Sequence, residues 1–361
     1  MADRVFNFSP GPATLPYDVL LQAGKDIVNF KNSGIGLIES SHRSREFMAV
    51  AEETEELLRK LMEIPANYKV LFLQGGASSQ FFMVPMNLLG PGKKATYLNT
   101  GTWSKKAIKE AKLFADIYVP FSSESDNFNR IPSAGEYLDS DDSEYLYYVS
   151  NNTIYGTQFH HIPAANSFLV SDMSSDILSK KIDVNKFGII FAGAQKNLGP
   201  AGVTLVIIRE DLLARTPAGT PTMLTYKTHA DKGSMFNTPP CFPIYVMGEV
   251  LKWLQKQGGV EAIAKTNRKK ADLLYAALDK DDYYQGHAEK DCRSLMNIPF
   301  TLANRELEVK FINEAAAIGL KGLKGHRSIG GCRASIYNAF PLEGVEKLVD
   351  FMEEFKLKNP L

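Results

Sequence analysis

The sequence contains little cysteine and no excess of either charge. Its three cysteines, Cys241, Cys292 and Cys332, lie far apart along 361 residues and show no metal-ligand spacing. So sparse a set, in an odd number, is typical of a reduced intracellular protein rather than of a disulfide scaffold. The 41 basic and 41 acidic residues cancel, so net charge does not indicate a nucleic-acid or membrane partner.

Signals for export, membrane insertion and metal binding are also missing. The first seven residues contain no apolar signal-peptide core, and no apolar run is long enough to span a bilayer. His160 and His161 are adjacent, a spacing that does not place both rings on one ion. We therefore expect a cytoplasmic protein that has no metal centre and binds neither membrane nor nucleic acid.

What the sequence does contain is a regular alternation of strand-like and helix-like segments. Apolar residues make up 44% of the chain, enough for a substantial core. Apolar periodicity predicts a helix near residue 17 and others at 44–62, 79–89 and 104–114. Strands are predicted at 68–73, 95–99, 117–119, 145–149, 168–171, 187–192 and 203–208. This alternation predicts an α/β fold with a mainly parallel sheet covered by helices on both faces.

The alternation stops at residues 216–243, which are rich in Thr, Pro and Gly. This stretch is too long for a simple connector, so we expect a functional or interface loop. Later segments are predicted as helices at 245–257, 260–278, 307–318 and 344–357, strands at 295–300 and 333–337, and a Gly-rich loop at 322–331. We therefore predict a large domain at 1–258 and a smaller α+β domain at 259–361.

Asp172 and Lys196 each come just after an apolar, strand-like run. Adjacent parallel strands would deliver both side chains to one edge of the sheet, where open α/β folds bind their ligands. An amine and a carboxylate at that edge suit pyridoxal 5'-phosphate (PLP): the lysine forms a Schiff base with its aldehyde, and the aspartate keeps its ring nitrogen protonated. An ordinary charge pair at two strand ends is the alternative interpretation.

Other segments place polar or aromatic groups at the same edge. The turn QGGASS at 74–79 joins a strand to a helix, and its N–H groups could bind a phosphate, although many such turns contain paired glycines. Trp103 could lie flat against a pyridine ring, or could simply pack in the core. Thr153 could bond a cofactor oxygen, or could be a plain turn residue.

Two His-Arg pairs and a further arginine lie in loops that precede a helix or a strand. They are His42-Arg43, His326-Arg327 and Arg333. Arginine binds carboxylate and phosphate through two parallel hydrogen bonds, whereas a surface arginine normally stays solvated. Any one of these residues could be a surface or capping residue. Together they predict a site for a substrate with two anionic groups.

Short motifs that span the whole chain complete this pattern. They are FSPGP at 8–12, SHRS at 41–44, GGASSQF at 75–81, GTWS at 101–104, SDMSS at 171–175, AGAQKN at 192–197, NTPP at 237–240 and GHRSIGGCRAS at 325–335. With them the chain resembles the phosphoserine aminotransferases, a family in class V of the fold-type I PLP enzymes. The last motif is the most specific. The resemblance implies a large domain built on a mainly parallel, seven-stranded type of sheet.

The resemblance also implies roles for individual residues in a homodimer with shared active sites. Lys196 would hold PLP. Asp172 would contact its ring nitrogen, and Trp103 would lie against the face of its ring. The residues lining the cofactor would be Ala77, Ser78, Thr153 and Gln195, with Asn237 and Thr238 reaching its phosphate from the partner chain. The substrate would contact Arg333 through its α-carboxylate, and Ser9. Its distal anion would contact His326 and Arg327, with His42 and Arg43 from the partner.

The implied reaction transfers an amino group from glutamate to 3-phosphohydroxypyruvate, giving phosphoserine and 2-oxoglutarate in serine biosynthesis. The related phospho-keto acid of vitamin B6 synthesis, which leads to 4-phosphohydroxythreonine, is a second candidate substrate. Many bacterial members of the family carry an arginine where Ser78 stands, so here phosphate binding is left to the His-Arg pairs.

Two other functions are alternatives. A class V cysteine desulfurase would need a histidine over the ring, where this chain has Trp103, and a nucleophilic cysteine on a mobile loop; Cys332 is better explained as a small buried thiol. A nucleotide-binding α/β protein that uses the Gly75-Gly76 turn would leave Asp172 and Lys196 unexplained.

Overall fold

A computed structural model describes residues 4–360 of the chain. The strands are β1 Phe6–Asn7, β2 Tyr68–Leu73, β3 Lys94–Asn99, β4 Asp116–Ser122, β5 Ser143–Val149, β6 Phe168–Asp172, β7 Phe187–Gly193, β8 Thr204–Arg209, β9 Gln285–Gly286, β10 Asn297–Thr301, β11 Leu320–Lys321 and β12 Cys332–Ser335. The α-helices are α1 Tyr17–Val28, α2 Arg45–Met62, α3 Gly76–Leu88, α4 Thr102–Ala111, α5 Tyr226–Ala230, α6 Cys241–Lys256, α7 Gly259–Leu278, α8 Arg305–Ala317 and α9 Leu342–Lys358.

A seven-stranded sheet in the order β2-β8-β7-β6-β5-β3-β4 forms the centre of the fold. Strand β8 is antiparallel to both of its neighbours, and the other pairings are parallel. The short connection from β7 to β8 leaves no room for a crossover helix, which accounts for the reversal of β8. The predicted α/β fold with a mainly parallel sheet is confirmed.

Both faces of this sheet are buried, which explains why its central strands are continuous apolar runs. Every residue of β7 is buried. Because side chains alternate along a strand, Ile190 joins one hydrophobic core, against helices α1, α2 and α6, while Ile189 joins the other, against α3 and α4. The sheet is therefore held between two helical layers, and only its strand ends are available to a ligand.

The long first helix follows its sequence closely. The Ser44 hydroxyl accepts a hydrogen bond from the Phe47 backbone N–H and caps α2. Most of the predicted apolar face is buried, namely Phe47, Val50, Ala51, Thr54 and Leu58. Leu57 and Leu61 are partly buried against the same core. The cap and the periodicity together define this helix from sequence.

The C-terminal part of the chain forms a second layered unit. Its three-stranded antiparallel sheet has the order β12-β10-β9. Strand β1 pairs in parallel with β11, and Phe8 lies in the core of this unit, so the start of the chain packs on its end. The division at 258/259 is still a proposal.

Helix α7 connects the two units. Val260 and Ile263, in its first half, belong to the core of the large sheet, whereas Leu274 and Leu278 belong to the C-terminal core. Between them, the buried Lys270 amine donates to three backbone carbonyls in the turn before α9, those of Ile336, Tyr337 and Phe340, over 2.9, 2.6 and 3.0 Å. One continuous helix is thus shared by both cores.

Two predicted boundaries are wrong for identifiable reasons. The loop expected at 216–243 contains α5. Helix α6 begins at Cys241, earlier than predicted; Pro243 lies in its first turn, where the missing N–H of proline is tolerated. Helix α3 begins at Gly76, earlier than predicted. The prediction started too late because glycine has a low helix propensity. Within residues 4–360, the helices are all too short or too polar to cross a membrane.

Candidate active site

A cavity of about 290 Å³ opens at the carboxyl edge of the large sheet. The parallel register aligns Val149 with Asp172 and Asp172 with Phe191, so the chain leaves β5, β6 and β7 at the same edge. The predicted site residues that line the cavity are Ala77, Ser78, Trp103, Thr153, Asp172, Gln195, Lys196, His326 and Arg333. The structure therefore brings together the group that the sequence placed at this edge.

Lys196 follows β7 and points into this cavity. Its Nζ donates a hydrogen bond of 2.7 Å to Thr153 Oγ1. The pKa of Lys196 is lowered to about 8, mainly by desolvation. The positive charge of Arg333 also lowers it, whereas the negative charge of Asp172 raises it. A lysine with a pKa this low exists partly as the free amine near neutral pH, which is the nucleophilic form.

Asp172 is the last residue of β6 and is buried at the base of the cavity. Its Oδ1 accepts hydrogen bonds from the Ser174 backbone N–H and the Ser174 hydroxyl, over 2.9 and 2.6 Å. Burial raises the pKa of Asp172, while the hydrogen bonds from Ser174 and the charge of Lys196 oppose that rise. The carboxylate is thus poised to accept a further hydrogen bond from a cationic group in the cavity.

Trp103 forms an aromatic wall beside the lysine. The Lys196 Nζ lies 5.8 Å from the centroid of its ring. The Trp103 Nε1 is buried without a hydrogen-bond partner in the described part of the chain. The Gly11 backbone packs on the Lys196 stem, and a Cβ there would meet Lys196 Cγ at 3.4 Å. Trp103 and Gly11 therefore both lie next to Lys196 in the cavity.

The Gly-rich turn presents the start of helix α3 to the cavity. Gly75 and Gly76 have φ of +91° and +69°, values that favour glycine. No side chain caps α3, so the N–H groups of its first turn, around Ala77 and Ser78, are available to an anion. The turn therefore presents uncapped N–H groups, and its binding of an anion stays a prediction.

Arg333 and His326 lie in the cavity wall and can donate N–H groups to an anion. Arg333 is buried on β12, and its Nη1 donates to the Thr153 carbonyl over 3.0 Å while its Nε lacks a partner among the described residues. His326 Nδ1 accepts the Ser328 backbone N–H over 3.2 Å, which places the proton of the neutral ring on Nε2. Burial and the charges of Arg333, Arg327 and Lys106 lower the pKa of His326.

Several predicted site residues do not line this cavity within one chain. They are Ser9, His42, Arg43, Asn237, Thr238 and Arg327. Asn237 lines a separate cavity behind the Gly-rich turn, where Gln74 Nε2 donates to the Thr238 carbonyl over 3.2 Å. Arg43 and Arg327 are exposed.

Some cavity residues had no role in the sequence-based prediction. Ser174 holds the aspartate, and Pro10 and Gly11 close the cavity over Lys196. Motifs FSPGP and SDMSS contain all three residues, but nothing in their residue types indicated these contacts. The contact of Ser174 with Asp172 is local, whereas the contact of Gly11 with Lys196 joins distant segments and is seen only in the folded chain.

These residues fit PLP on the chemistry of the side chains present. The cavity offers an amine for its aldehyde, a buried carboxylate for its ring nitrogen, an aromatic wall for its ring and uncapped N–H groups for its phosphate. Within residues 4–360, no cluster of three or more metal-ligating side chains is present.

Comparison with known proteins gives consistent results along the whole chain. A model of the aminotransferase class-V family matches residues 5–348. The chain is 71% identical over 360 residues to phosphoserine aminotransferase from Desulfotalea psychrophila, with both chains covered completely. It is 54% identical to phosphoserine aminotransferase from Nitrosomonas europaea, with 98% of each chain covered.

Solved structures agree with these sequence matches. Phosphoserine aminotransferase from Bacillus circulans subsp. alkalophilus superposes with a TM-score of 0.96 at 50% identity, over 99% of both chains. A phosphoserine aminotransferase solved to follow radiation damage of its Schiff base superposes equally well, with a TM-score of 0.96 at 48% identity, over 99% of this chain and 100% of the other.

Proposed function

The chain belongs to the class-V aminotransferase family, and from that premise we propose that it is a PLP-dependent phosphoserine aminotransferase. It transfers an amino group between glutamate and 3-phosphohydroxypyruvate, giving 2-oxoglutarate and phosphoserine. The observation that carries this proposal is the convergence of Lys196, Asp172, Trp103 and Arg333 on one cavity. PLP, when bound, supplies a ring that accepts the electrons released at the substrate α-carbon.

We infer that Lys196 would hold the cofactor until the amino group of the donor displaces it, and would then carry the proton. The freed Nζ, whose pKa the site lowers, would take the proton from the α-carbon of the amino donor. The hydroxyl of Thr153, 2.7 Å from that nitrogen, orients it. Asp172 would keep the ring nitrogen protonated, and Trp103 would lie against the ring, because both line the cavity.

The substrate anions are assigned to the cationic residues. Arg333 binds the α-carboxylate, because its guanidinium is buried in the cavity wall. His326 and Arg327 bind the distal anion, which is a carboxylate in glutamate and a phosphate in the keto acid. One cationic site serves both because the two anions lie at a similar reach. Ser9 adds a polar contact to the amino-acid substrate.

We propose that two copies of the chain share each active site. His42 and Arg43 do not line the cavity of their own chain, nor do Asn237 and Thr238, so a second copy is needed to use them. Exposed apolar side chains in and after α1, namely Val28, Ile35 and Ile38, lie on the chain segment that leads to His42 and Arg43. On this basis the segment packs on the second copy and brings His42 and Arg43 to it.

The distal anion site works without an arginine at position 78. Ser78 is exposed at the start of α3, where it offers a hydroxyl and a backbone N–H instead of a guanidinium. The phosphate of the keto acid is therefore bound by the two His-Arg pairs. We further infer that the enzyme acts in the cytoplasm, where its cysteines, all of them free, stay reduced.

The desulfurase alternative finds no support in the site. Trp103 lines the cavity at the position where a desulfurase would need a histidine, and Cys332 is completely buried on β12. Burial raises the pKa of the Cys332 thiol, which makes it a poor nucleophile. The nucleotide-binding alternative leaves the amine and the carboxylate of the cavity without a function.

The test is a spectrum and an assay of the purified protein. We expect a yellow protein whose visible band borohydride abolishes, and formation of 2-oxoglutarate from glutamate beyond one equivalent per active site only when 3-phosphohydroxypyruvate is present. The phospho-keto acid with one more carbon, assayed in parallel, measures use of the second candidate substrate. Lys196→Ala is the matched control, which should show neither the band nor the activity. A colourless protein that binds nucleotides, or one that releases sulfur from cysteine, would contradict the proposal.

A further inference from the structure

Ser174 lies in the turn after β6, two residues beyond Asp172, and is buried. Its backbone N–H and its hydroxyl both donate to Asp172 Oδ1, over 2.9 and 2.6 Å. One residue therefore supplies two donors to one carboxylate oxygen. The other oxygen, Oδ2, accepts no hydrogen bond from the described residues, and Asp172 lines the ligand cavity.

The direction of the Ser174 hydroxyl is fixed by Gly193. The Gly193 backbone N–H, at the end of β7, donates to Ser174 Oγ over 3.1 Å. An amide N–H can only donate, so it occupies a lone pair of the hydroxyl oxygen and leaves the hydroxyl proton for Asp172. A chain of hydrogen bonds thus runs from Gly193 through Ser174 to Asp172. Gly193 belongs to the strand that leads directly to Lys196.

The carboxylate at the end of this chain lies in surroundings that oppose its charge. Burial raises the pKa of Asp172, and the charge of Lys196 lowers it. The other titratable groups that interact with it are Tyr147 on β5 and Asp176 in the turn after β6, and neither supplies a positive charge. Ser174 is a donor whose contribution does not depend on the protonation state of any other group.

We propose that Ser174 is a positioning residue of the reaction, whose hydroxyl keeps Asp172 ionised and directed at the ring nitrogen of PLP. The inference rests on the proposed function. Without the hydroxyl, the aspartate holds its negative charge less well, and the ring nitrogen carries less positive charge. Because like charges repel, a less positive ring lets the nitrogen that joins Lys196 to the cofactor keep its proton to higher pH.

The test is a pH titration of the visible absorption of the holoenzyme in the parent, Ser174→Ala and Ser175→Ala. Ser175 is the matched control, because it is also buried and its hydroxyl donates to the Asn151 carbonyl, not to Asp172. Loss of a hydrogen bond to a charged group corresponds to a shift of about one pH unit. We expect the pH at the midpoint of the absorption change to rise by about that amount in Ser174→Ala and to stay at the parent value in Ser175→Ala.

A variant of Asp172 itself gives the largest rise in midpoint that loss of the carboxylate can cause. Asp172→Asn removes the anion, so its midpoint should rise further than that of Ser174→Ala. A midpoint in Ser174→Ala equal to that of the parent overturns the inference. An equal rise in Ser175→Ala also overturns it, because that result would indicate a general loosening of the turn.

Two further observations keep the test decisive. If Ser174→Ala does not fold, Ser174→Cys keeps the shape of the side chain with a weaker donor; a raised midpoint there supports the inference, and an unchanged midpoint overturns it. If the parent protein itself shows no visible band, the proposed function fails rather than the role of Ser174.

Discussion

Lys196 shows at the scale of one residue how a fold changes the chemistry of a side chain. In water its amine would be almost fully protonated at neutral pH. In the cavity, desolvation and the repulsion of Arg333 lower its pKa to about 8, and the attraction of Asp172 limits the change. The free amine that results is the form that bonds to an aldehyde and accepts a proton.

This pKa predicts how cofactor binding depends on pH. The lysine of the cofactor-free enzyme is deprotonated as the pH rises through about 8. The rate at which added PLP forms its visible band should therefore rise between pH 7 and 9 and level off above that range. Stopped-flow absorbance at a fixed PLP concentration measures the rate. A rate that keeps rising to pH 10.5 would show an amine with an ordinary pKa.

The distal anion site gives a second prediction for a single residue. Replacing Arg327 by Leu removes a charged hydrogen bond to the substrate anion, which contributes roughly 1.5–3 kcal/mol. We expect kcat/KM for 3-phosphohydroxypyruvate to fall about tenfold or more, with the visible spectrum of the cofactor unchanged. Arg305 at the start of α8, also an exposed arginine, is the matched control. If Arg327→Leu discriminates phosphorylated from unphosphorylated keto acids as the parent does, the distal anion binds elsewhere.

At the scale of secondary structure, the start of helix α3 is the proposed place for the phosphate of the cofactor. Gly75 has φ of +91°, and a Cβ there would come within 2.1 Å of Ser79 Oγ. The positive φ strains any side chain at this position, and the clash requires the Ser79 side chain to move. The glycine therefore keeps the uncapped N–H groups of α3 directed at the cavity.

Substitution of Gly75 tests this role of the turn. Gly75→Ala should weaken PLP binding by about tenfold, because backbone strain of this kind costs about 1–3 kcal/mol and displaces the N–H groups. Gly92→Ala is the control: that glycine also has a positive φ, +76°, but has open space around it and lies away from the cavity. Equilibrium titration of the cofactor-free protein measures both. Equal effects in the two variants would show that strain, not phosphate contact, is responsible.

Secondary structure is also the scale at which the sequence was most informative. Long periodic segments such as α2, and apolar runs such as β7, could be placed to within a few residues. The pairing of β1 with β11 could not be predicted, because two-residue strands carry no periodicity. Parallel strands that end together explain why Asp172 and Lys196 could be predicted as one site.

The contacts of Ser174 could not be predicted in the same way. Its partners are the carboxylate of Asp172 nearby and the backbone of Gly193, on another strand. A backbone donor has no sequence signature, so only the folded chain shows that this serine differs from Ser175. The proposed contributions of His42 and Arg43 depend on a second copy and are not decided by a single chain.

At the scale of the whole molecule, the proposed dimer makes each active site a joint product of two chains. The variants Lys196→Ala and Arg43→Ala should each be inactive alone, because one lacks the amine and the other lacks a cation for the substrate. In a mixed dimer one site carries both lesions and the other carries neither. Random reassortment gives about half mixed dimers, so activity should recover to about a quarter of the parent.

The measurement requires proof that subunits have exchanged. Two purification tags, one on each variant, allow mixed dimers to be isolated and assayed. A mixture of Lys196→Ala with Asp172→Asn is the control and should not recover, since both residues line the cavity of the same chain. If verified mixed dimers of the first pair are inactive, Arg43 does not act across the interface.

The position of Trp103 has a consequence for how the protein emits light. The chain has two tryptophans; Trp103 lines the cavity, and Trp253 lies in α6, partly buried against the core of the large sheet. Emission from an indole ring overlaps the near-ultraviolet absorption of PLP, so a ring bound beside Trp103 quenches its fluorescence by energy transfer. The enzyme thus carries its own optical probe of cofactor occupancy, and Trp253→Phe would leave that probe as its single fluorescent indole.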